Sequence, residues 1–290
     1  MRSVAEQTAQ PRARALSWIA VLWFTALLVV TYAPVLTALI QQWNTDEDMG
    51  HGFFVPVVAG YITWLKRREL LAIPTRPNWW GLAMVVYAGF QLYIATLGAE
   101  LFLARTALVL SVFGIVLFLG GTGWLKALIF PLCLLFLMVP IPAIIYNRIT
   151  FPLQLLASEA AATALGWIGI PVLREGNILE MANKRLSVVE ACSGIRSLLS
   201  LSFLALVYGF FFEKRTWLRT VLFLATVPIA IIANASRVTL TGILTEYKPE
   251  LAEGFFHSAS GWVIFMVALL ILVVFHRATL LVIRSGHAKG

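Results

Sequence analysis

The chain has 290 residues, of which 60% are hydrophobic and only 12% charged, with a mean hydropathy of +0.87. Ordinary soluble domains carry about twice that share of charged side chains, so a soluble fold is excluded and an integral-membrane protein with several spans is indicated. The net charge of +8 points to basic cytoplasmic loops rather than to nucleic acid, because lysine and arginine collect on the cytoplasmic side of membrane proteins.

A membrane helix needs about 20 apolar residues. The first run, Trp18 to Ile40, is too long for a signal-peptide core and has no small-residue cleavage site after it, so it reads as a retained span. An acidic loop, Asn44 to His51, follows. The second span, Phe53 to Leu65, is short and ends at Lys66-Arg67-Arg68. The third, Trp79 to Leu97, opens on two interfacial tryptophans. The fourth, Leu101 to Leu119, carries Arg105 and ends at the Gly120-Gly121-Thr122-Gly123 turn. The fifth runs from Trp124 to about Met138, with Cys133 as a packing residue, and is closed by Pro140 and Pro142.

The stretch Ile144 to Ile168 is interrupted by Pro152 and carries scattered polar residues, so it reads as an amphipathic or re-entrant helix at the surface. Val172 to Met181 and Leu186 to Val189 alternate like strands on either side of Ala182 to Arg185 and predict a β-hairpin, which must lie in water or against protein. The sixth span is Ile195 to Phe212, the seventh Trp217 to about Leu240, and the eighth Trp262 to Ile283, with His276 and Arg277 inside it. With the N-terminus in the cytoplasm, eight spans put most of the 22 basic residues inside. Only Glu6, Glu69 and Glu213 of the 14 acidic ones join them. The expected fold is therefore all-α and polytopic, with about eight transmembrane helices, both termini cytoplasmic, and the hairpin and amphipathic segment on the outer side. All of it, 1–290, reads as one membrane domain.

Chemistry concentrates in three places. Glu190-Ala191-Cys192-Ser193-Gly194-Ile195-Arg196 puts a cysteine where a helix begins. There the helix dipole and free N–H groups favour thiolate, and Arg196 adds charge one turn on. Asn234-Ala235-Ser236-Arg237-Val238 puts an arginine into an apolar run, where burial costs at least about 2.5 kcal/mol unless it is partnered. His257 stands just before span eight. Taken singly, each has a bland reading: a packing cysteine, a snorkelling or structurally paired arginine, a solvated histidine. The alternation of spans brings all three to the outer face, and a thiolate, an imidazole and a cationic oxyanion donor are the parts of nucleophilic acyl transfer. Asp46, Asp48 and His51 fit no standard metal spacing and read as a hydrated outer loop.

Together these segments resemble the exosortase/archaeosortase family. The resemblance extends to Asp46 to Gly52, to Pro140-Ile141-Pro142 and to Gly176-Asn177. It implies an integral-membrane cysteine protease or transpeptidase, in the short single-domain form, with no metal or other cofactor. Its partners would be membrane-anchored proteins with C-terminal PEP-CTERM-type sorting tails, in bacteria that export exopolysaccharide. The resemblance carries catalytic roles to Cys192, Arg237 and His257; Glu190, Ser193, Gly194, Arg196, Asn234 and His51 would support the site or bind substrate. Two other classes stay open. Ser236-Arg237 and a later histidine faintly resemble a lipid-phosphate phosphatase, whose Ser-Gly-His partner occurs only in the tail as Ser285-Gly286-His287. A transporter or scaffold would use Arg237 to bind an anion.

Overall fold

The computed structural model describes residues 18–181, 185–187, 194–247 and 255–287. The described residues are almost wholly helical, and among them four helices are long and apolar enough to cross a membrane, or five when one bent pair counts as a single span. The chain divides into two compact units, Met1–Pro140 and Ile141–Gly290.

The first unit contains α1 (Trp18–Thr31), α2 (Ala33–Thr45), a 3-10 helix (Glu47–Phe53), α3 (Phe54–Leu65), α4 (Arg67–Ala72), α5 (Trp79–Leu97), α6 (Leu101–Leu134) and a second 3-10 helix (Leu135–Met138). The expected first span is made of α1 and α2, bent by 68° where they meet. Pro34 at the start of α2 has no N–H to give, Tyr32 leaves helical geometry, and its hydroxyl is held by Ser111 at 2.8 Å. α5 begins where expected, capped by the Asn78 side chain accepting from Trp80 N–H. It packs closely on α6 because Gly81 and Gly114 face each other's backbones with no side chain between. The expected turn at Gly120-Gly121 appears as a break inside α6: Gly121 has φ 80° and ψ −172°, and a Cβ there would run into the Arg76 carbonyl. Cys133 is exposed on α6 instead of packed inside.

The second unit contains α7 (Ala143–Trp167), strands β1 (Val172–Glu175), β2 (Ile178–Met181) and β3 (Arg185–Ser187), then α8 (Gly194–Phe212), α9 (Thr216–Tyr247) and α10 (Phe255–His287). The expected single hairpin is a three-stranded antiparallel meander in the order β1-β2-β3. Its first turn is Gly176-Asn177, with Gly176 at φ 63°, the glycine-first chemistry of a two-residue hairpin. α7 differs from the surface helix expected. Pro152 does not end it, and its buried face (Thr150, Ala157, Ser158, Ala161, Leu165) is committed to protein. Ala161 and Leu165 share a core with Leu179, Met181 and Leu186 of the sheet and Val238 of α9. Ser158 Oγ donates to the Gly176 carbonyl at 2.9 Å and Asn177 Nδ2 to Gln154 Oε1 at 3.2 Å, which ties the turn to α7. One face of the sheet is thus packed against protein.

A second core joins α8, α9 and α10 through Leu201, Ala205, Leu222, Ile229, Ala233, Ala268 and Leu272. The α8–α9 register is antiparallel and regular: Ser202 pairs with Thr226 at 3.2 Å, and Gly209 lies against Arg219. Extending that register from Ser202 back to Gly194, at the start of α8, reaches the level of Asn234 on α9.

Candidate active site

The site is best defined on α9. Its inward positions recur at helical spacing (Ala230, Ala233, Asn234, Arg237, Val238, Thr241), and this periodicity carries the polar Asn234 and Arg237 inward with the apolar residues. Asn234 is 9% exposed and Arg237 8%. The Arg237 guanidinium lies flat against α10: a Cβ placed on Gly261 would come within 3.3 Å of its Cζ and Nη2. Gly261 is therefore the gap in α10 that admits the guanidinium. His257 precedes Gly261 by one helical turn of α10.

α10 starts at Phe255, so His257 lies within its first turn, ahead of the apolar span Gly261–Ser285 as expected. α9 runs on to Tyr247, past the expected end near Leu240, so Arg237 stands well inside the helix and not near its end. Gly194 and Arg196 occupy the first turn of α8, with Gly194 level with Asn234 in the α8–α9 register. Glu190, Cys192 and Ser193 lie outside the described residues. The structure thus brings Asn234, Arg237, Gly261 and the starts of α8 and α10 to one end of a three-helix bundle.

Ser236 is exposed and donates to the Ile232 carbonyl at 2.9 Å, so it looks away from Arg237. The two side chains that suggested a phosphatase motif do not form a joint site.

In the first unit, the acidic loop is mostly helical and His51 is buried, not hydrated as expected. Asp46 Oδ1 caps the 3-10 helix by accepting from Asp48 N–H at 3.0 Å. His51 Nε2 meets the Leu137 carbonyl at 3.2 Å, and Trp43 Nε1 donates to the Met138 carbonyl at 3.0 Å. Burial pushes the His51 imidazole below its ordinary pKa, against the opposing pull of its bonds to the Leu137 and Asp48 backbone. These contacts tie the loop to the turn that closes α6.

The sequence reading also missed a polar cluster at the other end of the α8–α10 bundle, where His276, Glu213 and Tyr208 meet. Its signal was an ionisable residue in an apolar run, which calls for a partner.

The chain belongs to the transmembrane exosortase family. The family model matches residues 43–274, which spans both units and includes Cys192, Arg237 and His257. No curated protein sequence and no solved structure shows significant similarity to this exosortase. The match ends two residues short of His276.

Proposed function

We propose that the chain is a membrane-embedded cysteine protease or transpeptidase that cleaves C-terminal PEP-CTERM-type sorting tails through a thioester acyl-enzyme. The observation that carries this reading is the buried Arg237 guanidinium lying against Gly261, one turn from His257, at the end of the bundle where α8 begins just after Cys192. A cation at this depth stabilises developing negative charge strongly, because little water screens it.

The substrate's tail helix docks beside the bundle and presents its scissile bond to Cys192. The thiolate attacks the carbonyl carbon, and Arg237 stabilises the resulting oxyanion. His257 gives a proton to the leaving amine as the C–N bond breaks. The acyl group stays on Cys192 as a thioester until water, an amine or a hydroxyl attacks it, which restores the thiol. Asn234 and the first turn of α8, with Gly194 and Arg196, support the site. Glu190 and Ser193 complete the set of supporting residues. No metal or cofactor has a role in these steps.

The basic residues Lys214, Arg215, Arg219, Arg277 and Arg284 lie toward the opposite end of α8–α10. Under the positive-inside rule this supports an inner-membrane protein with cytoplasmic termini and a periplasmic site, working in protein sorting linked to exopolysaccharide export. Co-expression with a tailed substrate tests the reading. Cys192→Ala and Arg237→Ala are expected to leave the tail uncut while inserting normally; full processing by Arg237→Ala would remove the guanidinium from the mechanism.

A further inference from the structure

The described residues of the second unit include a buried ionisable cluster that the acyl-transfer reading does not use. Tyr208 lies near the end of α8, Glu213 in the α8–α9 turn, and His276 on α10. His276 is 2% exposed and Glu213 7%. Tyr208 Oη lies 3.0 Å from His276 Nδ1, and His276 Nε2 lies 3.1 Å from Glu213 Oε2. The other Glu213 oxygen accepts the Arg215 N–H at 2.7 Å, and the Glu213 carbonyl accepts from Arg219 Nε at 2.7 Å. The Tyr208 ring meets the imidazole edge-on at 5.4 Å. One polar chain therefore fastens α8, the turn, the start of α9, and α10 together.

Burial pushes the Glu213 carboxyl up. The N–H groups of Arg215 and Lys214 and the His276 imidazole outweigh this and hold it below the usual carboxylate range. It is a carboxylate at neutral pH and accepts the proton that His276 Nε2 carries toward it.

The core that joins these helices is otherwise apolar. Apolar surfaces do not specify an axial position, and in a bilayer lipid offers much the same contact. A buried polar contact in an apolar interface does specify register. Ser202–Thr226 does this for α8 against α9. The Tyr208–His276–Glu213 chain does it for α10. His276 stands 15 residues after Gly261, about 22 Å along the helix. A slip of one turn, about 5.4 Å, would carry Gly261 away from Arg237 altogether.

We infer that Tyr208, Glu213 and His276 are positioning residues: they pin the far end of α10 to the α8–α9 turn and so set the register at which Gly261 meets Arg237. The inference rests on the proposed acyl transfer for the use of that register, but the register can be measured without activity. In a Cys133→Ser, Cys192→Ser background, Arg237→Cys and Gly261→Cys joined by a short bismaleimide report how α9 and α10 align. Tyr208→Phe removes one hydroxyl and keeps the ring. His276→Leu removes both bonds, and His276→Gln keeps a donor and an acceptor. Cross-link yield is expected to fall in Tyr208→Phe and further in His276→Leu, with partial recovery in His276→Gln. In the otherwise native chain, turnover of a tailed substrate is expected to fall about 10- to 100-fold with KM little changed, since misplacement of about 1 Å costs about that much. Unchanged cross-linking in Tyr208→Phe and His276→Leu overturns the inference; should His276→Leu fail to insert, Tyr208→Phe decides alone. A native chain that leaves every tail uncut refutes the acyl-transfer reading instead, and the cross-link series still judges the register.

Discussion

Replacing Gly261 probes the site without touching a reacting group. The added Cβ of Gly261→Ala would stand 3.3 Å from Arg237 Cζ and Nη2 and 3.5 Å from Nη1. Carbon contacts are most favourable near 3.5–4.0 Å, so the guanidinium must withdraw by about 0.2–0.5 Å. If a misplacement of about 1 Å costs about 100-fold in rate, this shift predicts a loss of about 3- to 10-fold. Gly261→Val adds two further methyl groups in the same place and is expected to lose about 100-fold. The assay is the initial rate of tail removal in membranes carrying equal amounts of each variant. Gly166→Ala is the control: nothing lies within 4 Å of its Cβ, and alanine favours the helix by up to about 1 kcal/mol, so no loss is expected. Native rates in both Gly261→Ala and Gly261→Val would mean that the guanidinium's seat on α10 has no part in the reaction.

Other consequences concern the scaffold. A Cβ at Gly242 would lie 2.9 Å from Leu165 Cδ1, so Gly242→Ala is expected to destabilise the α7–α9 contact by about 1–3 kcal/mol, read as a lower melting temperature in detergent. Gly121→Ala combines positive φ with a backbone clash at Arg76 and is expected to leave little folded protein in membrane fractions. Glu213 has a folded-state pKa below its unfolded one. Its bonds therefore stabilise the protein fully above the unfolded carboxylate value of about 4.3, and this is lost as pH falls through the lower folded value. Glu213→Gln is expected to flatten the acid limb of a stability-against-pH curve, and an unchanged limb would deny the carboxylate that role.

Much of the helix order was legible because apolar runs and their basic or glycine-rich ends are local signals. α5 lies at Trp79–Leu97 as its hydropathy indicated, and the break at Gly121 falls within the glycine cluster. What escaped the sequence depends on contact between distant segments. The α1–α2 bend needs Ser111 to hold Tyr32. α7 reads as a surface helix until the sheet and Val238 cover its small residues. At the site, the depth of Arg237 was legible from its apolar neighbours, but its seat on Gly261 was not, because nothing in Ser260-Gly261-Trp262 states which side chain the glycine makes room for. The partnership of His276 with Glu213, 63 residues apart, was hidden for the same reason.

The central claim is that Cys192 carries the cleaved substrate as a thioester. Mass spectrometry of the protein, digested soon after mixing with a tailed substrate, tests this most directly. The account predicts a peptide containing Cys192 with the substrate's newly exposed C-terminus attached, released by hydroxylamine and absent from Cys192→Ala. A tail cut at full rate by Cys192→Ala, with no such adduct on the native chain, would contradict it.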